Sequence, residues 1–180
     1  ENNNEKSSIN IKCDLLAIAG GWTPTVHLFT QSKGKLKFRD SDGSFIPSEI
    51  YQDTLCVGSC NGDYDLNEIL LKTQEDTLMY LNDNQENKIG EVNYKSDNLK
   101  YGKHQNIWIT SKNNISRTKM FVDFQNDVTA KDIKLALKEG FQSIEHVKRY
   151  TTTGMATDQG KTSNVNALGI ISELTNTEIS

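Results

Sequence analysis

The sequence predicts an α/β segment followed by a small all-α module. Two runs, Leu15 to Ala19 and Thr54 to Gly58, are short, apolar and closed by glycine turns, and a helical pattern follows each. Between Thr129 and Leu174 three short stretches repeat apolar residues at helical spacing behind residues able to cap them. With 180 residues there is room for one ordinary domain or two small ones. The division read here is 1–72 for the α/β segment, 73–118 for a partly irregular linker and 119–180 for the helical module.

Residues 1–10 are a polar lead-in that does not begin with Met, which predicts a piece cut from a longer polypeptide. Leu15 to Ala19 then reads as a buried strand stopped at Gly20-Gly21, where the absence of side chains lets another backbone or a ligand come close. Pro24 fixes the exit, and Thr25 to Phe29 starts a short helix. Asp40-Ser41-Asp42-Gly43 is a turn signal flanked by Phe38 and Phe45, so a hairpin is expected there. Thr54 to Gly58 repeats the first design: a strand, a polar glycine turn through Gly62, then helical spacing at Leu66, Ile69 and Leu70. Strands that end in such turns present ligand sites at the carboxyl edge of open parallel sheets. Residues 72–118 are rich in Asn, Asp, Lys and Glu, with Ile107-Trp108-Ile109 as an isolated strand and a boundary near 110–119.

The signal sharpens after Phe121. Thr129 and Asp132 form a variant capping box, Val128 and Ile133 the hydrophobic staple, and Gly140 the stop of a helix whose stripe is Ile133, Ala136 and Leu137. Ser143 caps a second helix with Ile144, Val147 and Tyr150 on one face. Ser163 caps a third, striped by Val165, Ala167, Leu168, Ile170, Ile171 and Leu174. The three apolar faces bury one another and leave the loop at 150–162 outside.

Composition narrows the function classes. Hydrophobic content is 35% and mean hydropathy −0.61, both pointing to long solvated stretches. A net charge of −4 gives no electrostatic case for nucleic acid. No apolar run is long enough to span a bilayer. Three cysteines, with Cys56 and Cys60 four apart and no second ligand pair, argue against a disulfide framework or a metal site; reduced thiols in the cytoplasm are expected.

The stretch from Ser143 to Thr162 carries the chemistry. Lys148, Arg149 and Lys161, five threonines, Gln159 and two glycines stand there with Asp158 as the single acid between Arg149 and Lys161. Cations attract a phosphate, and hydroxyls and backbone N–H groups orient it. A plain Thr-rich interhelical loop, with Lys and Arg answering the helix dipole, accounts for the same residues. Gly160-Lys161-Thr162 is not a nucleotide-triphosphate loop, since the motif's first glycine falls on Met155 and no strand feeds it. His27, His104 and His146 are scattered, so no catalytic residue is named.

Phe121 through Ile133 and Glu145 through Thr162 resemble the alpha subunit of heterotetrameric sarcosine oxidase, and Gly20 through Leu28 is similar to that subunit's dinucleotide domain. The resemblance implies the C-terminal part of a two-dinucleotide-binding domain, then a helical module, with a folate-related domain beyond it. It implies a bacterial cytoplasmic flavoenzyme that oxidises sarcosine to glycine and hydrogen peroxide and passes the one-carbon unit to tetrahydrofolate. FMN would lie at the interface with the beta subunit, its phosphate facing Lys148 and Arg149, with Thr151, Thr152, Thr153, Gln159 and Lys161 as further contacts. NAD would be approached by Gly20, Gly21, Trp22, Gly58 and Ser59, although relatives often place Asp where Ser59 stands. Gamma and delta subunits complete the complex.

Related dehydrogenase subunits hold a [2Fe-2S] cluster in this module. Here the four ligand places are filled by Asp123, Gln125, Asp158 and Ser163, so the resemblance implies a degenerate cluster-binding domain without iron. The alternative is a non-enzymatic helical module whose basic loop docks an acidic patch on a protein partner.

Overall fold

The computed structural model describes residues 10–17, 21–80, 105–110 and 112–179. Among them the chain is mixed α/β, with five helices and two small antiparallel hairpins.

In the first part, α1 (His27–Gln31) buries Phe29, whose ring lies on Gly34 where any β-carbon would overlap it. The hairpin β1 (Lys35–Arg39) and β2 (Ser44–Glu49) pairs Phe38 with Phe45 across the predicted turn, their rings edge-on at 5.3 Å. Arg39 holds that turn. Its Nε and Nη2 donate to the two Asp42 oxygens at 2.9 and 2.6 Å, and Nη2 also donates to the carbonyl of Gly62 at 2.7 Å. Burial opposes ionisation of Asp42, but the Arg39 hydrogen bond outweighs it, aided by the Ser44 hydroxyl, and holds the carboxyl below its ordinary range. A 3₁₀ turn at Gly58–Asn61 leads into α2 (Leu66–Tyr80), which runs through position 72.

Neither of the two predicted parallel strands is formed among the described residues. Residues 10–17 carry no strand, Leu15 is 84% exposed, and positions 18–20 lie outside the described residues. Thr54 to Val57 has no ladder partner and Gly58 enters the 3₁₀ turn directly. A parallel strand is stable only between neighbours that bury both its faces, and no described segment offers such neighbours. Ile107-Trp108-Ile109 is likewise a bend rather than a strand.

The second part holds the larger core. The hairpin β3 (Phe121–Asp123) and β4 (Val128–Thr129) delivers the chain into α3 (Ala130–Lys138), followed by α4 (Ile144–Thr151) and α5 (Asn164–Thr175). The capping box forms, with the Thr129 N–H and hydroxyl both donating to Asp132 Oδ2 at 2.8 and 2.7 Å. At the far end Gly140, at φ +98°, closes α3. The Phe141 N–H reaches the carbonyl of Ala136 and the Gly140 N–H that of Leu137, both at 3.1 Å, which is a Schellman closure. Ile133, Ala136, Val147 and Ala167 are all fully buried, so the three helices cover one another; Tyr150, read as part of the α4 stripe, is instead 46% exposed, its ring 5.0 Å from that of Phe141.

Ile109 and Ile115, from the stretch read as linker, join this same core. Trp108 lies flat on α5 at Gly169, where a β-carbon would strike the indole, and is 6.4 Å from the ring of Phe38. With Asn106 Nδ2 donating to the carbonyl of Asp40 at 2.9 Å, residues 105–109 tie the first hairpin to the helical core. No helix among the described residues is long and apolar enough to cross a membrane.

Candidate anion-binding loop

The loop between α4 and α5 is built from both ends. Ser143 caps α4, its Oγ accepting from the His146 N–H at 3.4 Å, and the helix ends at Thr152 with a left-handed φ of +64°. Thr151 then turns inward. Its hydroxyl donates to the Val147 carbonyl at 2.7 Å, so the proton between Thr151 and Thr153, also 2.7 Å apart, comes from Thr153. The Thr152 hydroxyl donates to the carbonyl of Thr151.

Asp123 locks the loop to the β3–β4 turn. This buried carboxylate accepts the N–H groups of Gln125 and Asn126 through Oδ1, at 2.9 and 3.1 Å, and that of Gly154 through Oδ2, at 2.7 Å. Two further links run alongside it. Asn126 Nδ2 donates to the carbonyl of Thr152 at 2.9 Å, and the Thr157 hydroxyl donates to Gln125 Oε1 at 2.8 Å. Deeper in, the Asn164 side chain wedges between Gly154 and Gly160, both at positive φ; a β-carbon on either glycine would overlap Asn164 Oδ1.

Asp158 organises the far end, accepting from the Thr162 hydroxyl at 2.7 Å, the Gly160 N–H at 3.0 Å and the Thr162 N–H at 3.3 Å. The Thr162 hydroxyl chiefly, then the Gly160 N–H, hold its carboxyl below the ordinary aspartate range. A depressed folded pKa contributes order that is complete above the unfolded value of about 3.9 and is lost as pH falls through the lower folded value. Amide exchange at Gly160 and Thr162 is therefore expected to lose protection in that acid window. Asp158→Asn should remove the step, and a pH-independent profile in the unsubstituted protein would show the carboxylate is idle.

These contacts sort the expected site residues. Lys148 is half-buried, and Arg149, Gln159 and Lys161 are exposed. None of the three cations makes an ion pair among the described residues. Thr153 is fully buried and faces Thr151, so it belongs to the frame and offers no surface donor; the Thr151 hydroxyl is engaged in the same way. Ser163 stands at the N-cap of α5 without capping it: its backbone is helical, at φ −111° and ψ −31°, whereas a capping hydroxyl needs extended backbone, and its buried Oγ has no partner.

At the other end of the chain Gly21, at φ +102°, sits in open space beside an exposed Trp22; Gly20 lies outside the described residues. Gly58, at φ +71°, and Ser59 open the 3₁₀ turn. No hydrogen bond, ion pair or ring contact among the described residues joins Gly21, Trp22, Gly58 or Ser59 to the α4–α5 loop. The sequence reading missed Asn126 and Asn164 as frame residues. The Asp-x-x-Asn turn at 123–126 and an Asn four residues after Gly160 were the available signals.

Residues 117–180, which contain this loop and the hairpin it is stitched to, match the family model described as the sarcosine oxidase A3 domain. Nearly the whole chain, 95% of it, is similar to the sarcosine oxidase subunit alpha of Corynebacterium sp. strain U-96, at 33% identity over 175 residues. The chain belongs to the sarcosine oxidase alpha-subunit family. The subunit alpha of Corynebacterium sp. strain P-1 is also 33% identical, over 164 residues. That of Rhizobium meliloti strain 1021 is 65% identical over 57 residues, 32% of this chain. The chain spans 18%, 17% and 6% of these three subunits, so it corresponds to a segment of a sarcosine oxidase alpha subunit.

Proposed function

We propose that the polypeptide carrying this segment is the alpha subunit of an oxidase that converts sarcosine to glycine and hydrogen peroxide and hands the one-carbon unit to tetrahydrofolate. In this reading the A3 domain presents the α4–α5 loop to the phosphate of FMN at the interface with the beta subunit. The supporting observation is that Lys148 and Arg149 in the last turn of α4, and Lys161 in the loop after it, make no ion pair among the described residues, and that the loop's backbone is pinned by Asp123, Asp158 and Asn164. Unpaired cations on a fixed frame suit an anion, because their geometry needs no reorganisation on binding. Lys148 and Arg149 would hold the phosphate, with Gln159 and Lys161 as further contacts, while Thr151 to Thr153 set the loop's shape. FMN, when bound, supplies the redox chemistry, and the residues of this segment bind and orient it. No catalytic residue is assigned to this segment.

The same reading leaves the module without a [2Fe-2S] cluster. Cluster iron takes thiolates, and the cysteines of this chain, Cys13, Cys56 and Cys60, all lie before residue 119. Asp123 has its oxygens committed to three backbone N–H groups instead. NAD contact through Gly21, Trp22, Gly58 and Ser59 is the weaker half of the proposal, since the parallel sheet edge that would align those turns is not formed by the described residues.

Titration calorimetry of the assembled complex tests it. Arg149→Ala is expected to weaken FMN binding about tenfold or more, the worth of a charge-assisted hydrogen bond, and to leave riboflavin, which lacks the phosphate, unchanged. Equal FMN affinity in the variant would overturn the assignment. A second reading, docking of a protein partner, is favoured by Phe121 and Phe124, stacked at 5.9 Å on the surface, and by exposed Met155 on the adjoining loop. Under it Arg149→Ala weakens subunit association whether or not flavin is present.

A further inference from the structure

A cavity of about 350 Å³ opens beside the start of α3 and shares no lining residue with the α4–α5 loop. Arg117, Lys119 and Lys131 line it together with Ser116, and Asp132 is the one acid among its lining residues. The backbone sets the three cations there. The Asn114 carbonyl accepts the Arg117 N–H at 2.9 Å and both the N–H and the hydroxyl of Thr118 at 3.0 Å. Ile115, within the same turn, is buried in the core of the helical module, so the turn that carries Arg117 is fixed. Phe121 pairs with Thr129 across the β3–β4 hairpin, and the Ala130 N–H donates to the Met120 carbonyl at 2.8 Å. One residue further along each chain, the same approach brings Lys119 beside Lys131. Like charges set across from one another oppose the fold. No acid answers them. Among the described residues Arg117, Lys119 and Lys131 make no ion pair, whereas Lys112, a few residues earlier, meets Glu173 at 2.9 Å. Asp132 is already engaged, its Oδ2 accepting the N–H and the hydroxyl of Thr129. On a chain of net charge −4, three cations around one carboxylate reverse the charge locally.

We propose that this cavity binds a small polyanion with the charge and reach of a diphosphate or a tricarboxylate. Arg117 offers a planar fork of N–H donors to one anionic group. Lys119 and Lys131 meet a second group as point charges, and the Ser116 hydroxyl is a further donor. The volume falls in the range of about 300–1,000 Å³ typical of small-molecule pockets, which leaves room for two anionic groups rather than one. Held on fixed backbone, the cations repel one another while the cavity is empty, and a bound polyanion turns that repulsion into attraction. The site needs neither flavin nor the oxidation of sarcosine, so it stands apart from the function proposed above.

Pyrophosphate and citrate are titrated calorimetrically into the full-length polypeptide in its natural assembly, at fixed ionic strength. Saturable one-to-one binding is expected, weakening as salt is added. The anion that binds tighter names the group, phosphate or carboxylate, that the cavity takes. Lys119→Gln combined with Lys131→Gln is expected to lower its affinity about a hundredfold, about tenfold for each cation removed. Lys119→Arg combined with Lys131→Arg keeps the charge and is expected to retain binding. Lys161→Gln, in the α4–α5 loop, is expected to leave it unchanged, so this result and the flavin titration fail separately. A second measurement needs no variant: the bound anion should shield Lys119 and Lys131 from acetylation, read by peptide mass, while exposed Lys134 reacts as before. Saturable binding of neither anion up to millimolar concentration overturns the proposal. So does affinity unchanged in the double Gln variant or lost in Lys161→Gln, or acetylation of Lys119 and Lys131 that the anion does not slow.

Discussion

Asp123→Ala is expected to loosen the α4–α5 loop by about 3 kcal/mol. The substitution removes the acceptor of three backbone N–H donors, those of exposed Gln125 and Asn126 and of buried Gly154; the buried one left unpaired costs about 1–3 kcal/mol, and the two that water can reach cost less. Amide exchange across 121–127 and 150–163 in the full-length polypeptide reads the effect directly. Because each 1.4 kcal/mol is tenfold, protection there should fall by about a hundredfold, while α2 is unaffected. Asp123→Asn keeps one acceptor but turns an NH2 group toward a donor, so it is expected to fall between wild type and Ala. Unchanged exchange in Asp123→Ala would mean that the Asn126 and Gln125 links hold the loop by themselves. Under the proposed reading the FMN phosphate depends on this frame, so FMN affinity is expected to drop in the same variant.

Gly160→Ala is the second large effect, and it separates into two causes. The added β-carbon overlaps Asn164 Oδ1, and the residue is held at φ +76°. Left-handed backbone costs a non-glycine residue about 1–2 kcal/mol, and overpacking a filled space about 1–3 kcal/mol more. Asn164→Ala removes the wedge and therefore the second cause only. The double variant should be less unstable than the sum of the single ones, by the overpacking share, which is the coupling a double-mutant cycle measures. Strict additivity by denaturant unfolding or amide exchange would show that Asn164 does not fill the space between Gly154 and Gly160.

The elements that were legible in the sequence share one property: their deciding contacts lie within a few residues. Thr129 and Asp132 are three apart, Gly140 closes α3 onto Ala136 and Leu137, Ser143 bonds to His146, and Asp42 meets Arg39 across a four-residue turn. The helical stripes worked for the same reason, since a helix satisfies its own backbone and needs partners only for one face. Strands have no such independence. Leu15-Leu16 and Thr54 to Val57 carry the right composition, yet without neighbouring strands they remain irregular chain.

The candidate loop divides along the same line. Its cations and its glycines were readable, because charge and the need for positive φ belong to single residues. The fate of its hydroxyls was not. Thr151 and Thr153 point at each other and at α4, although nothing in their spacing distinguishes them from surface donors. Nor does local pattern say that Ile109 and Ile115 join the core of the helical module, or that Trp108 finds the bare backbone of Gly169 more than fifty residues on.

By itself the sequence determined three helices, two of them with the caps it names, one hairpin and a group of cations from the last turn of α4 to Lys161 in the loop after it. Only the tertiary structure decided which polar groups of that loop face inward, because Asp123 lies 31 residues before the Gly154 N–H it accepts. Long-range closure is set by how whole elements pack against one another, and buried donors and acceptors then pair with whatever that packing brings to them.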